Sequence, residues 1–369
     1  MTARYRAWVL DEFGVPLRLE ERPVPPLHPS GVLVRIRSAM VLSYTNRVLD
    51  GSLGYATPPF PFVPGTNAIG RVQAVGPEVT HVAAGDLVFL SPHLVAEAPG
   101  AAPAQILIGL TAIGAGRFDA IGDGPRALQR TWRDGVFAEL AHWPAACTTR
   151  LPRLDNVAAE RLIGLAKLVV PYGGLLRGGL RPGQVVLING ASGFYGSAGV
   201  MVALAMGAAL VVALGRDRAA LEGLAQALGP RVAPAVLSGA DAAADLAAIR
   251  AAAGGPADLA LDLLGRAAST ATTLAALRSL RRGGRLVLMG SASAPLPLGF
   301  GEMLANEWEV VGNFMYSREA PASLAALLAA GLLDLSALGL QRFALSRLPE
   351  AIAAAAEMRG LDLTAVEPD

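Results

Sequence analysis

The chain has 369 residues, more than one ordinary domain holds and enough for two or three. Apolar residues make up 53% of it, and 31 lysines and arginines against 30 aspartates and glutamates leave a net charge of +1. That balance excludes a disordered chain and gives no electrostatic ground for a nucleic-acid or anionic-membrane partner. The one cysteine, Cys147, excludes an intrachain disulfide and a cysteine-built zinc cluster, and it fits a reducing compartment such as the cytoplasm. Residues 1–8 lack an apolar core followed by a cleavage site, so no signal peptide is expected there.

Taken in chain order, short strands are expected at 7–10, 17–19, 32–36, 70–75 and 86–90, punctuated by proline and glycine. The stretch 91–133 shows no clean period and is expected to be an irregular surface lobe or active-site cover. From about residue 158 strands and helices alternate, the pattern of a parallel sheet covered on both faces. Strands are expected at 185–188, 210–214, 233–237, 259–262, 286–289 and 310–313, with helices such as 218–228 and 267–280 between them. Residues 197–215 are apolar enough to suggest a membrane span, but they divide into a helix, a glycine-containing break and a strand, so no membrane partner is expected. A helix at 321–330, an extended piece at 341–345 and a helix at 349–358 complete the chain.

The strongest motif runs from 185 to 199. An apolar strand enters the small-residue turn Gly190-Ala191-Ser192-Gly193-Phe194-Tyr195-Gly196, and a helix follows at once. Small residues let the backbone approach a pyrophosphate, and the helix N-terminus offers N–H groups and a positive dipole end. Against the fingerprint G-x-G-x-x-G, Ala191 takes the first glycine's place, while Gly193 and Gly196 take the others. Gly290 and Asn313, which close the fifth and sixth expected strands, complete the expected cofactor set.

An NAD site ordinarily places a carboxylate at the end of the second strand to hold the ribose hydroxyls. Here that place falls on Gly215, followed by Arg216, Asp217 and Arg218. Guanidinium groups bind phosphate, so NADP(H) is the expected cofactor. The alternative leaves Arg216 and Arg218 as solvated helix-start residues, with Asp217 serving NAD.

With these motifs in this order the chain resembles the medium-chain dehydrogenase/reductase superfamily over nearly its full length. The matching pieces include 63–70, 74–80, 85–88, 180–184, the glycine turn, 280–287 and 332–336. The resemblance is read as nearest to the quinone oxidoreductase branch with its ζ-crystallin-like proteins. It implies an α/β fold: a Rossmann doubly wound parallel sheet domain at 158–319, and a GroES-like β-rich catalytic domain built from 1–157 and 320–369. It also implies a small-molecule substrate in the cleft between the domains, and a homodimer formed through the sheet edge near 310–313.

In zinc-using relatives the motif at 65–67 reads G-H-E, with the His a ligand, whereas this chain has Gly65-Thr66-Asn67. The expected Cys ligand aligns with Ser43 and the third ligand position falls near Ala166, so no zinc is expected. His28, His81, His93 and His142 lie far apart in the sequence and are expected to be surface or packing residues.

Without a Lewis acid, NADPH-dependent reduction of an activated alkene or a quinone is the leading expectation. The alternatives are a zinc-free carbonyl reductase or alcohol dehydrogenase, and a non-catalytic NADPH-binding protein. By the resemblance, Tyr55 delivers a proton or else packs in a barrel loop, and Ser43, Tyr44 or Tyr55 donates to a carbonyl. Lys167 serves the nicotinamide or substrate, or else snorkels to solvent. Relatives carry Gly-Val where this chain has Phe194-Tyr195, so Tyr195 is expected to alter the seat of the nicotinamide or to face the substrate.

Overall fold

A computed structural model of the chain describes residues 3–97, 102–114, 120–154 and 157–369. The N-terminal part carries strands β1 (Arg4–Val9), β2 (Arg18–Pro23) and β3 (Gly31–Val41), then the short helix α1 (Thr45–Leu49). Strands β4 (Ala68–Val75), β5 (Leu87–Leu90), β6 (His93–Ala96), β7 (Ala104–Leu107) and β8 (Thr111–Ile113) follow, then helix α2 (Asp123–Thr131) and strands β9 (Leu140–Pro144) and β10 (Thr148–Arg150).

The stretch 91–133 is therefore not irregular. Strands β6, β7 and β8 form an antiparallel sheet of their own, and α2 follows it. The strands are four, four and three residues long, too short to display a period of two. Residues 98–101 and 115–119 of that expectation lie outside the described residues.

The next part alternates helix and strand: α3 (Gly164–Gly178), β11 (Val185–Asn189), α4 (Phe194–Ala205), β12 (Leu210–Gly215), α5 (Arg218–Leu228), β13 (Val232–Val236), α6 (Ala242–Ala253) and β14 (Ala257–Asp262). It continues with α7 (Ala271–Arg278), β15 (Leu280–Leu288), α8 (Phe300–Asn306), β16 (Glu309–Gly312) and α9 (Ala320–Ala329). The six strands form one parallel sheet in the order β13-β12-β11-β14-β15-β16. Strands β11 and β12 read as continuous apolar runs because both faces of a parallel sheet are covered by helices. Leu187, Val212, Leu214, Leu277 and Leu286 are buried in one core cluster there. The apolar stretch at 197–215 is divided between α4 and β12, and no helix among the described residues is long and apolar enough to cross a membrane.

The chain ends with β17 (Gly339–Ala344), α10 (Leu348–Ala356) and β18 (Asp362–Glu367). Strand β18 pairs antiparallel with β3, extending a sheet in the order β10-β5-β4-β3-β18-β17, to which β9 adds through β3. Two compact units result: Met1–Ala166 with Leu340–Met358 and Leu363–Asp369, and Lys167–Gly339 with Arg359–Asp362. The first contains the GroES-like β-rich architecture, the second the Rossmann sheet.

Candidate active site

In the second unit, β11 delivers the chain to the glycine turn at the C-terminal end of the sheet. The N–H groups of Gly190 and Ala191 both donate to Leu214 O, at 3.0 and 2.9 Å, which pins the turn to the end of β12. Gly196 permits the following helix to start where it does, because a Cβ there would stand 1.9 Å from Gly190 O. No side chain caps α4, whereas Asp217 and Asp241 cap α5 and α6. A helix N-terminus without a side-chain cap keeps its first N–H groups for an anion. This turn fits the pyrophosphate of a dinucleotide.

Beneath it, Asn189 and Asp262 are register partners across β11 and β14, and Asn189 Nδ2 donates to Asp262 Oδ2 at 3.0 Å. Thr273 Oγ1 and the Leu264 N–H donate to the same buried carboxylate. Gly290 lies against it, since a Cβ there would stand 2.9 Å from Asp262 Oδ1 and 2.5 Å from Leu264 O. Asn313 turns the chain after β16, its side-chain amide donating to Met315 O at 2.9 Å. The network that supports the site from below was not read from the sequence. Its signal was polar residues ending two otherwise apolar strands.

At the end of β12, a methyl group on Gly215 would lie 3.3 Å from Ser192 Oγ, so the turn and the second strand meet there. Asp217 Oδ1 accepts the Ala220 N–H at 3.1 Å as the N-cap of α5. Arg218 pairs with Glu222 at 3.6 Å on the exposed face of α5, and Arg216 is exposed beside Gly215.

Lys167 does not snorkel. Its side chain is fully buried, and Nζ donates to Gly360 O at 2.6 Å and Asp362 O at 2.8 Å. It also stands 4.3 Å from the Phe194 ring centroid. Burial pulls its pKa down to about 7, against a smaller upward pull from Asp362. The Tyr195 ring meets Phe194 edge to face, with centroids 4.9 Å apart.

In the first unit, Ser43 lies half-buried in the turn between β3 and α1, and Tyr55 lies half-buried in the loop after α1. Thr66 and Asn67 are buried in the loop just before β4, with Asn67 Nδ2 donating to Leu90 O at 3.3 Å. Ala166 is buried and offers a methyl group. Zinc requires thiolate, imidazole or carboxylate ligands, and the hydroxyl, amide and methyl groups at these positions do not fit it. Among the described residues no three His, Cys, Asp or Glu side chains group as a ligand set.

Two of the four histidines nevertheless meet in space. His142 Nε2 accepts the His28 backbone N–H at 3.1 Å, and Trp132 packs at a tilt against both rings, with centroids 5.0 and 5.1 Å apart. Burial and the nearby His28 lower the His142 pKa, as expected of a packing histidine. A narrow apolar pocket lined by Leu42, Thr45, Val48, Thr66, Leu110 and Phe137, among others, opens beside Thr66.

Residues 28–153 match the alcohol dehydrogenase GroES-like domain, and residues 196–330 match the zinc-binding dehydrogenase domain. The chain belongs to the medium-chain dehydrogenase/reductase superfamily. Within it, the chain is 28% identical over 322 residues to an alcohol dehydrogenase of Geobacillus stearothermophilus, covering 85% of this chain and 86% of that one. It is 28% identical over 345 residues to a sorbitol dehydrogenase of Macaca fascicularis, covering 91% and 88%. The fold superposes on the alcohol dehydrogenase TADH from Thermus sp. ATN1 with a TM-score of 0.76 at 25% identity, over 98% of this chain and 100% of that one. These relatives are alcohol and sorbitol dehydrogenases, so the superfamily membership stands while the quinone oxidoreductase branch gains no support from them. The protein is an oxidoreductase of this superfamily, resembling its alcohol and sorbitol dehydrogenases.

Proposed function

We propose that the protein is an NADP(H)-dependent alcohol dehydrogenase or carbonyl reductase that works without zinc on a small-molecule substrate. The observation that carries the cofactor choice is the end of β12, where Gly215 replaces the ribose-binding carboxylate and Asp217 is engaged as the α5 cap. With no carboxylate there to repel a 2′-phosphate, Arg216 beside Gly215 is positioned to pair with it. The uncapped N-terminus of α4 holds the pyrophosphate. The names of the relatives favour interconversion of an alcohol and a carbonyl. When bound, the nicotinamide supplies or accepts the hydride. The chain must stabilise the charge that develops on the carbonyl oxygen, and the resemblance offers Ser43 and Tyr55 as hydroxyl donors for that task. Lys167, held by backbone carbonyls, acts on the cofactor helix through Phe194 and Ser197 rather than on substrate.

A second reading is conjugate reduction of an enone or quinone. It draws on the ligand positions, since a conjugated carbonyl needs less polarisation than a saturated one. The experiment that separates them follows oxidation of NADPH and of NADH against saturated ketones, aldehydes, enones and quinones, with and without chelator. Turnover of saturated carbonyls with NADPH, unaffected by chelator, supports the main reading. Turnover confined to enones or quinones moves the function to the second. Tight NADPH binding without turnover leaves a non-catalytic binding protein, and loss of activity with chelator overturns the zinc-free assignment. Two features extend the proposal. The edge strand β16, beside exposed apolar residues of α8, suits pairing with a second copy as a homodimer. The single buried Cys147 suits a reducing compartment such as the cytoplasm.

A further inference from the structure

Of the 31 lysines and arginines in the chain, Lys167 is the single lysine, and the other 30 are arginines. An arginine keeps its charge at any pH a protein meets, whereas a buried lysine can give its proton up. The one position that carries a lysine is also fully buried. Its polar partners all belong to the same compact unit, which consists of Lys167–Gly339 and Arg359–Asp362.

Two helix starts and one loop make the seat of this ammonium. Lys167 is the fourth residue of α3, and its Nζ stands over the ring of Phe194, the first residue of α4. Nζ donates to Gly360 O and Asp362 O, and Ser197 Oγ in the first turn of α4 shares Gly360 O with it. A neutral amine keeps two N–H groups and could serve both carbonyls, so those bonds do not require the charge. A cation beside the first turns of two helices meets their positive dipole ends and is disfavoured there. Burial pulls the pKa down to about 7, and Asp362 pulls upward by less. Among the described residues no other charged side chain acts on it: α4 carries none, and Arg359 on the loop is exposed.

We propose that Lys167 is a positioning residue for the dinucleotide, and that its charge couples cofactor binding to proton uptake. This rests on the dinucleotide reading above. A pyrophosphate at the first turn of α4 brings negative charge to the dipole end that disfavours the ammonium. Binding then favours the protonated lysine, and the protonated lysine favours binding by the same factor. The charged ammonium also attracts the face of the Phe194 ring, and so holds the residue that opens α4. Affinity is therefore highest below the pKa of the free protein, and it falls as pH rises through that value toward the pKa of the complex.

The single lysine makes the test possible on the wild type itself. Protein labelled with carbon-13 at lysine Cε gives one lysine signal in NMR, and its shift reports the ammonium across pH 6 to pH 10, with and without NADP⁺. Saturating NADP⁺ is expected to raise the midpoint by about one pH unit, and calorimetry should find binding about fivefold weaker at pH 9 than at pH 7. Lys167→Met should lose that pH dependence. The 2′-phosphate titrates near about pH 6 and stays charged across this window. A midpoint that NADP⁺ leaves unmoved overturns the inference whether or not Lys167→Met folds, and so does a lysine that stays charged to pH 10 in both states. A Lys167→Met protein with the wild-type pH dependence overturns it as well. In each of these outcomes NADP⁺ still binds, so the dinucleotide reading stands. A wild type that binds neither NADP⁺ nor NAD⁺ removes that reading and the inference with it.

Discussion

Lys167 Nζ stands 4.3 Å from the centroid of the Phe194 ring, joining the first turns of α3 to the first residue of the cofactor helix α4. The same ammonium donates to Gly360 O, which also accepts Ser197 Oγ from α4 at 2.5 Å. One carbonyl therefore ties α3, α4 and the segment at 359–362 together.

The burial of that lysine has a pH signature. Its folded pKa of about 7 lies below the ordinary 10.5, so between those values the unfolded chain binds more protons than the folded one. Stability should rise with pH across that window, and the gain should be lost as pH falls toward 7. Urea unfolding of the wild type and of Lys167→Met at pH 7 and pH 9.5 tests this. The wild type should gain stability relative to the variant as pH rises, and a constant difference would mean that the lysine stays charged in the fold.

Gly196→Ala should abolish dinucleotide binding. The added Cβ would fall 1.9 Å from Gly190 O, so either the turn or the start of α4 must move. Overpacking of this kind costs about 1–3 kcal/mol, and the Tm should drop along with NADPH affinity. Binding at wild-type affinity would show that the turn absorbs a side chain without disturbing the anion site.

Arg216→Ala should weaken NADPH by about tenfold and leave NADH nearly unchanged, the expectation for one charge-assisted contact to a partly exposed phosphate. Fluorescence titration with both cofactors measures it. Equal losses for the two cofactors would remove Arg216 from the 2′-phosphate site.

Phe300 and Leu304 lie one turn apart on α8 and are 87% and 69% exposed. Large apolar side chains so open to water mark an interaction surface when they stand together. If the proposed homodimer uses this face, replacing both with Asp should lower the mass found in sedimentation experiments to that of a monomer. A dimer mass unchanged by the substitutions would place the interface elsewhere, and a monomeric wild type would remove the dimer proposal.

Much of this fold was legible in local sequence. The inner strands β11 and β12 read as apolar runs because helices cover both faces, and the glycine turn read as a cofactor site because steric demand selects small residues there. Strands β6, β7 and β8 were not legible, since pieces of three or four residues show no period and acquire their pairing only from one another. The tendency of Asp217 to cap a helix is local too, yet its choice between ribose and Ala220 N–H required the start of α5 to be known.

The sequence by itself determined the α/β class and the dinucleotide turn, because each depends on residue type and short-range spacing. The tertiary structure decided which polar groups are satisfied. Lys167 is buried because backbone carbonyls nearly two hundred positions along the chain accept its hydrogen bonds. Thr66 is buried because residues from β3, α1 and the loop before β9 close an apolar wall around it. Hydrogen-bond partnership is set by neighbours in space, and no local pattern encodes them.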